Sequence, residues 1–157
     1  MTARRSVAVV GAGSASAEDE RIAFEVGRLL AEQGAVVVTG GLGGVMEAAS
    51  RGAQEAGGTT VGIIPGERRS DANPYAGVVI ATGLGEARNA LVVRNADGLI
   101  AIGGEFGTLS EIALALKLGI VVVGIDTWTI ERPGMSVDPI LRARDADEAV
   151  RLLFERL

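Results

Sequence analysis

Four short apolar runs in this chain end in glycine-bearing turns, at Gly11, Gly40, Gly83 and Gly103, and each turn leads into a segment with helical spacing. Repeated strand–turn–helix units build a parallel sheet, because parallel neighbours need a crossover and a helix is the usual one. In such a sheet every turn that follows a strand opens on the same edge, where ligands bind. Four glycine turns converging there are hard to attribute to packing alone, since a residue without a Cβ lets the backbone approach a ligand closely.

Taken in order, SVAVV (Ser6 to Val10) is a strand that feeds Gly11-Ala12-Gly13-Ser14. Ser16 then caps a helix with Glu18, Asp19 and Glu20 in its first turn, Ile22, Val26, Leu29 and Leu30 on one face, and Gly34 as its stop. AVVVT is followed by Gly40-Gly41-Leu42-Gly43-Gly44 and a helix of small residues from Val45 to about Ala56. TTVGIIP is the third strand, and Gly66 to Tyr75, basic at Arg68 and Arg69, reads as an exposed loop. Gly77 to Ala81, DGLIAI and IVVVGID are three more strands, with a helix from near Glu86 between the first two. A looser tail holds Trp128, and a last helix is capped by Asp145 with Glu148 three residues on. The expectation is an α/β fold: a Rossmann-like doubly wound parallel sheet of about six strands with helices on both faces, one domain over residues 1–157.

Composition narrows the chemistry. With no cysteine and no histidine among its 157 residues, the chain has no disulfide, no thiolate or imidazole metal site and no Ser-His-Asp relay. Lys117 is the only lysine, late in a helix that reads as buried, which argues against Schiff-base chemistry. A net charge of −5 argues against a nucleic-acid surface. No unbroken apolar run is long enough to span a bilayer and no charged-then-apolar leader precedes the first strand, so a soluble cytoplasmic protein is expected.

Two turns carry candidate sites. After the fifth strand, Gly103, Gly104, Glu105, Phe106, Gly107 and Thr108 form a glycine-rich turn into an abrupt helix start, where unpaired amides favour an anion, most often a phosphate. Thr108 and Glu111 fit a capping box, yet a carboxylate beside an anion-binding turn also fits a ligand-facing role, and spacing alone leaves both readings open. The first turn, GAGSAS, has Ser16 where a dinucleotide fingerprint needs its third glycine, and the second strand lacks the terminal acid that holds a ribose. Gly11, Gly13 and Ser14 remain candidates for one wall of a pocket.

GGLGGVMEAASRGAQEAGGTTVGIIPG resembles the GGxxGxM-helix-AGGxVxGxxP block of the Lonely Guy (LOG) superfamily, long mislabelled as lysine decarboxylases. RNALVVRNADGLIAIGGEFGTLSE is similar to that family's second signature, an arginine-containing helix start followed by a PGGxGTxxE turn. The resemblance implies hydrolysis of a nucleoside 5′-monophosphate at its N-glycosidic bond, with Arg88 and Glu111 as the catalytic pair. It adds Gly40, Gly41, Gly43, Gly44 and Met46 to the ligand-binding turn residues. It also implies a homodimer or higher homo-oligomer, and no metal or redox cofactor.

Three departures stand out: Asn89 replaces the lysine after the arginine, Gly85 replaces a methionine, and Glu105 puts a negative charge into the phosphate turn itself. A branch of short proteins in this fold resembles the molybdenum cofactor carrier protein, which binds a phosphate-bearing pterin without turning it over. The expected function is therefore binding of a phosphate-bearing, nucleotide-like or pterin-type ligand at the carboxyl edge of the sheet. The alternative is a nucleoside 5′-monophosphate phosphoribohydrolase, and a third possibility is a sensor or structural module. Lysine decarboxylation is not expected.

Overall fold

A computed structural model describes residues 3–157. Its strands are β1 (Ser6–Gly11), β2 (Val36–Thr39), β3 (Thr60–Ile64), β4 (Val78–Ala81), β5 (Gly98–Ile102), β6 (Val121–Ile125) and β7 (Leu141–Arg142). All pair in parallel, in the order β4-β3-β2-β1-β5-β6-β7. The helices are α1 (Ala17–Glu32), α2 (Val45–Glu55), α3 (Asn89–Arg94), α4 (Phe106–Lys117) and α5 (Ala146–Phe154). The sheet is thus doubly wound, as expected, with seven strands in place of about six. The extra one, β7, is two residues long and comes from the tail after β6, which has no apolar run to announce it. Side-chain bonds hold it: Asp138 accepts from the backbone of Ile140 at 3.0 Å and from Arg142 Nε at 2.7 Å.

Both faces of the central strands are covered, which is why their sequences are continuously apolar. Val7 and Val9 of β1, with Ile100 and Ile102 of β5, pack with α1, α2 and α5 in one core. Ala8 and Val10, with Leu99 and Ala101, belong to the other, with Val92 and Val93 of α3 and Ile112 and Ala115 of α4. The alternation is the strand's own period of two.

Two of the three expected caps form. Ser16 Oγ accepts from the Asp19 amide at 3.1 Å, and Asp145 Oδ1 accepts from the Glu148 amide at 2.9 Å. The Thr108–Glu111 box does not form. Helix α4 starts at Phe106, with Glu105 at the cap position and no side-chain cap. The cause is the Gly103-Gly104 pair, whose φ values of 53° and 97° turn the chain so sharply that the helix begins before Thr108. Thr108 and Glu111 are left inside the helix and buried, with Glu111 free of any capping duty.

Helices α1 and α2 touch backbone to backbone. A Cβ on Gly27 would lie 1.9 Å from the Ala49 carbonyl oxygen, and one on Gly52 would lie 2.0 Å from that of Phe24. Neither glycine is in a turn; each is there because the opposing helix leaves no room. Gly52→Ala should therefore lose roughly 1–3 kcal/mol to overpacking, outweighing a helix-propensity gain of about 1 kcal/mol. Urea unfolding checks this, and a variant as stable as the parent would contradict the packing.

Candidate functional site

The chain leaves the central strands β1 and β5 in opposite directions, and the crevice this opens at their carboxyl ends is the switch point of a doubly wound sheet. A cavity of about 460 Å³ lies there, within the range of small-molecule sites. Of the residues singled out from the sequence, Gly11, Gly13, Ser14, Met46, Arg88, Glu105, Gly107, Thr108 and Glu111 line it. Ala12, Leu42, Pro65, Gly85, Glu86 and Asn89 complete the wall. Sequence reasoning did not assign these to a site, although each lies in the connection that follows a strand or, for Asn89, at the first residue of the helix after it.

The other candidates stand behind the lining. A Cβ on Gly40 would come within 2.8 Å of both Arg88 Nη2 and Met46 Sδ, so this glycine makes room for two side chains that do face the cavity. One on Gly41 would meet Ile64 at 2.5 Å, and one on Gly44 the Ala12 carbonyl at 2.2 Å. On Gly43 it would come to 3.0 Å from the Gly13 carbonyl, on Gly103 to 2.6 Å from Asp19 Oδ2, and on Gly104 to 2.4 Å from Thr108 Oγ1. Phe106 points elsewhere: it is 78% exposed and its ring centroid lies 5.4 Å from that of Trp128. Trp128 in turn donates to the Glu105 carbonyl at 3.0 Å, steadying the turn from outside. Arg68 and Arg69 lie off the cavity wall; their loop is tied to the second glycine turn by Asn73, which donates from its side chain to the Leu42 carbonyl at 2.9 Å and from its amide to Gly41 at 2.8 Å.

Arg88 is only 9% exposed. Its Nη1 donates to Asn89 Oδ1, Asn89 Nδ2 donates to Ser110 Oγ at 3.3 Å, and Ser110 Oγ donates to the Gly107 carbonyl at 2.6 Å. Asn89, the departure from the LOG pattern, thus links the guanidinium to the start of α4. Arg88 Nε is buried with no hydrogen-bond partner among the described residues. Leaving such a donor unmatched costs about 1–3 kcal/mol, more for a charged group.

Glu111 lies one turn into α4 and is 6% exposed. No hydrogen bond or ion pair engages its carboxyl among the described residues. Burial pushes its pKa up to about 7, the nearby Arg88 charge offsetting part of the effect. Burial likewise lowers the pKa of Arg88, opposed by Glu111. The first main-chain bond of α4 runs from the Leu109 amide to the Glu105 carbonyl at 3.0 Å, leaving the amides of Phe106, Gly107 and Thr108 without main-chain partners. The cavity wall therefore offers one guanidinium and free amides to acceptors, and carboxylates at Glu86, Glu105 and Glu111 to donors.

Among the described residues, no group of three His, Cys, Asp or Glu side chains is placed to hold a metal ion. No helix there is long and apolar enough to cross a membrane.

This architecture is that of a Rossmann-like α/β protein with a ligand-sized crevice at its switch point. The chain belongs to the SLOG cluster4 family, whose model matches residues 4–150. It is 51% identical over 114 residues to an uncharacterized protein of Archaeoglobus fulgidus, covering 72% of this chain and 74% of that one. Its fold is similar to the molybdenum cofactor binding protein of Rippkaea orientalis, with a TM-score of 0.90, 33% identity and 99% of each chain covered. The molybdenum cofactor carrier protein of Chlamydomonas reinhardtii matches with a TM-score of 0.85 and 31% identity, over 97% of this chain and 98% of that one.

The raised pKa of Glu111 has a consequence for stability. Between an unfolded value near 4.5 and a folded value of about 7, the folded chain holds the proton and the unfolded chain has released it. This group's contribution is therefore most favourable below pH 4.5 and falls as pH rises through 7, by on the order of 3 kcal/mol in all. Glu111→Gln should flatten that fall, gaining on the parent above pH 7 and not below pH 4.5. Paired urea titrations across pH check it, and parallel pH profiles would contradict it.

Proposed function

We propose that this chain binds a phosphate-bearing, nucleotide-like small molecule at the carboxyl edge of its sheet and carries it unaltered, the ligand being of the pterin-phosphate type. The observation that carries this reading is the Arg88 guanidinium, nine-tenths buried with Asn89 as its hydrogen-bond partner, on the wall of the same cavity as the free amides that open α4. An acceptor on a ligand would engage both. The phosphate suits the amides of Gly107 and Thr108, which line the cavity at the positive end of the helix dipole. The flat apolar body suits Leu42, Met46 and Pro65. Likeness to two molybdenum cofactor proteins over nearly the whole chain supports a pterin ligand.

One observation favours a second reading: Arg88 and Glu111, the pair matching the LOG hydrolases, line one cavity. In that reaction water adds to the anomeric carbon, the N-glycosidic bond breaks, and the departing base takes the electron pair and a proton. An ionised Glu111 would orient the water and stabilise positive charge on the sugar. Near neutral pH, however, burial keeps a large fraction of it protonated.

The same reading places the protein in the cytoplasm as a homo-oligomer, with α4 at the contact, where Leu109 and Leu116 are only partly buried. The net charge of −5 weighs against a nucleic-acid partner.

The test incubates the protein with purine and pyrimidine nucleoside monophosphates and with neopterin monophosphate, following both thermal stability and release of free base. Carriage predicts a rise in melting temperature without release. Arg88→Ala should weaken binding about tenfold to a hundredfold, the value of a charged hydrogen bond. Release of base and ribose 5-phosphate would establish the hydrolase, and no response to any phosphate-bearing ligand would overturn both readings.

A further inference from the structure

Glu111 and Arg88 pose a problem of chemistry that goes beyond the presence of a ligand. Both are more than nine-tenths buried on the wall of one cavity, and they make no ion pair with each other. The guanidinium of Arg88 has Asn89 as its side-chain partner, and no hydrogen bond or ion pair among the described residues engages the Glu111 carboxyl. A molecule that satisfies both must present an acceptor beside donors. It cannot do so with a phosphate at Glu111, where like charges would meet in a poorly solvated site.

The carboxyl has two oxygens, so its best partner is a pair of adjacent N–H groups. Against an ionised carboxylate, adenine and cytosine offer an amine beside a ring acceptor, which leaves one oxygen facing a lone pair. Uracil and hypoxanthine offer a single ring N–H without an amine beside it. The lactam edge of guanine and of pterins differs: a ring N–H lies between an exocyclic amine and a carbonyl oxygen. Two donors then face the carboxylate, and the next atom along the edge is an acceptor for the guanidinium.

Resting on the reading of this cavity as a ligand site, we infer that Glu111 selects ligands with a 2-amino-4-oxopyrimidine edge, guanine or pterin, by accepting from its ring N–H and amine while Arg88 donates to its carbonyl. Bound to two donors, the carboxylate is ionised. Its neighbours on the wall leave the assignment to Glu111: Glu86 and Glu105 are exposed and solvated, whereas Glu111 is 6% exposed and has no hydrogen-bond partner among the described residues. Asn89 acts on Arg88, holding the guanidinium on the side facing α4.

The experiment compares GMP, IMP and XMP by isothermal titration calorimetry, and neopterin monophosphate with its lumazine counterpart, on the parent chain and on Glu111→Gln. IMP lacks the amine; XMP and lumazine replace it with a carbonyl. The parent should bind GMP at least about tenfold tighter than IMP or XMP, and the pterin tighter than the lumazine. A glutamine offers one acceptor and one donor, the complement of xanthine and lumazine, so the variant should prefer XMP to GMP and the lumazine to the pterin. A merely structural role for Glu111 would weaken all ligands alike. The parent preference needs no variant, so the inference stays testable if Glu111→Gln folds poorly. Binding without preference for the amine, or without reversal in a folded variant, overturns this inference and leaves the ligand site standing. No binding of either scaffold overturns both.

Discussion

The whole arrangement depends on a guanidinium and a carboxyl held largely out of water, facing one cavity, without an ion pair between them. A buried charge is tolerated only when something compensates it. Here the guanidinium of Arg88 has one partner, Asn89, and the carboxyl of Glu111 has none, its burial showing instead as a pKa pushed up to about 7. Such a state persists because the scaffold around it is rigid. Ile112 and Ala115 anchor α4 in the core on the inner side, and the chain of bonds through Asn89 and Ser110 fixes Arg88 to the start of the same helix.

The sheet explains why those groups meet at all. Crossovers run outward in both directions from β1 and β5, so the turns after the central strands part and leave a crevice between them. Glycines let those turns lie close together. Gly40 sets the depth of Arg88 and Met46, and the Gly103-Gly104 turn advances the start of α4 so that Glu111 reaches the cavity wall one turn in. The tight α1–α2 contact over Gly27 and Gly52 keeps the opposite layer in register with β1 and β2.

Much of this was legible in the amino-acid order. Continuous apolar runs of four to six residues, four of them ending in glycine-bearing turns, leave few alternatives to a parallel sheet buried on both sides, and the turns that follow the strands hold most of the cavity lining. The parts that could not be read depend on three-dimensional neighbours. Strand β7 has two residues and no pattern of its own, being placed by Asp138. Thr108 and Glu111 have the spacing of a cap, but the preceding glycine pair moves the helix start ahead of them. Phe106 sits within the glycine turn yet turns outward to Trp128. Asn89 stood out only as a departure from the LOG pattern, and its use in orienting Arg88 appears only when Ser110 and Gly107 are seen beside it. Gly27 and Gly52, within helices, have no sequence signal of their own; the opposing backbone alone accounts for them.

The most direct test is the titration of the Glu111 carboxyl itself, followed by carbon-13 NMR in protein labelled at glutamate, with Glu111→Gln to assign the resonance. Held in a desolvated cavity with Arg88 nearby but unpaired, it should be half-ionised near pH 7. A midpoint near the ordinary carboxylate value of about 4.3 would mean that water or the guanidinium already satisfies it, and the account of a site built to await a donor-bearing ligand would be wrong.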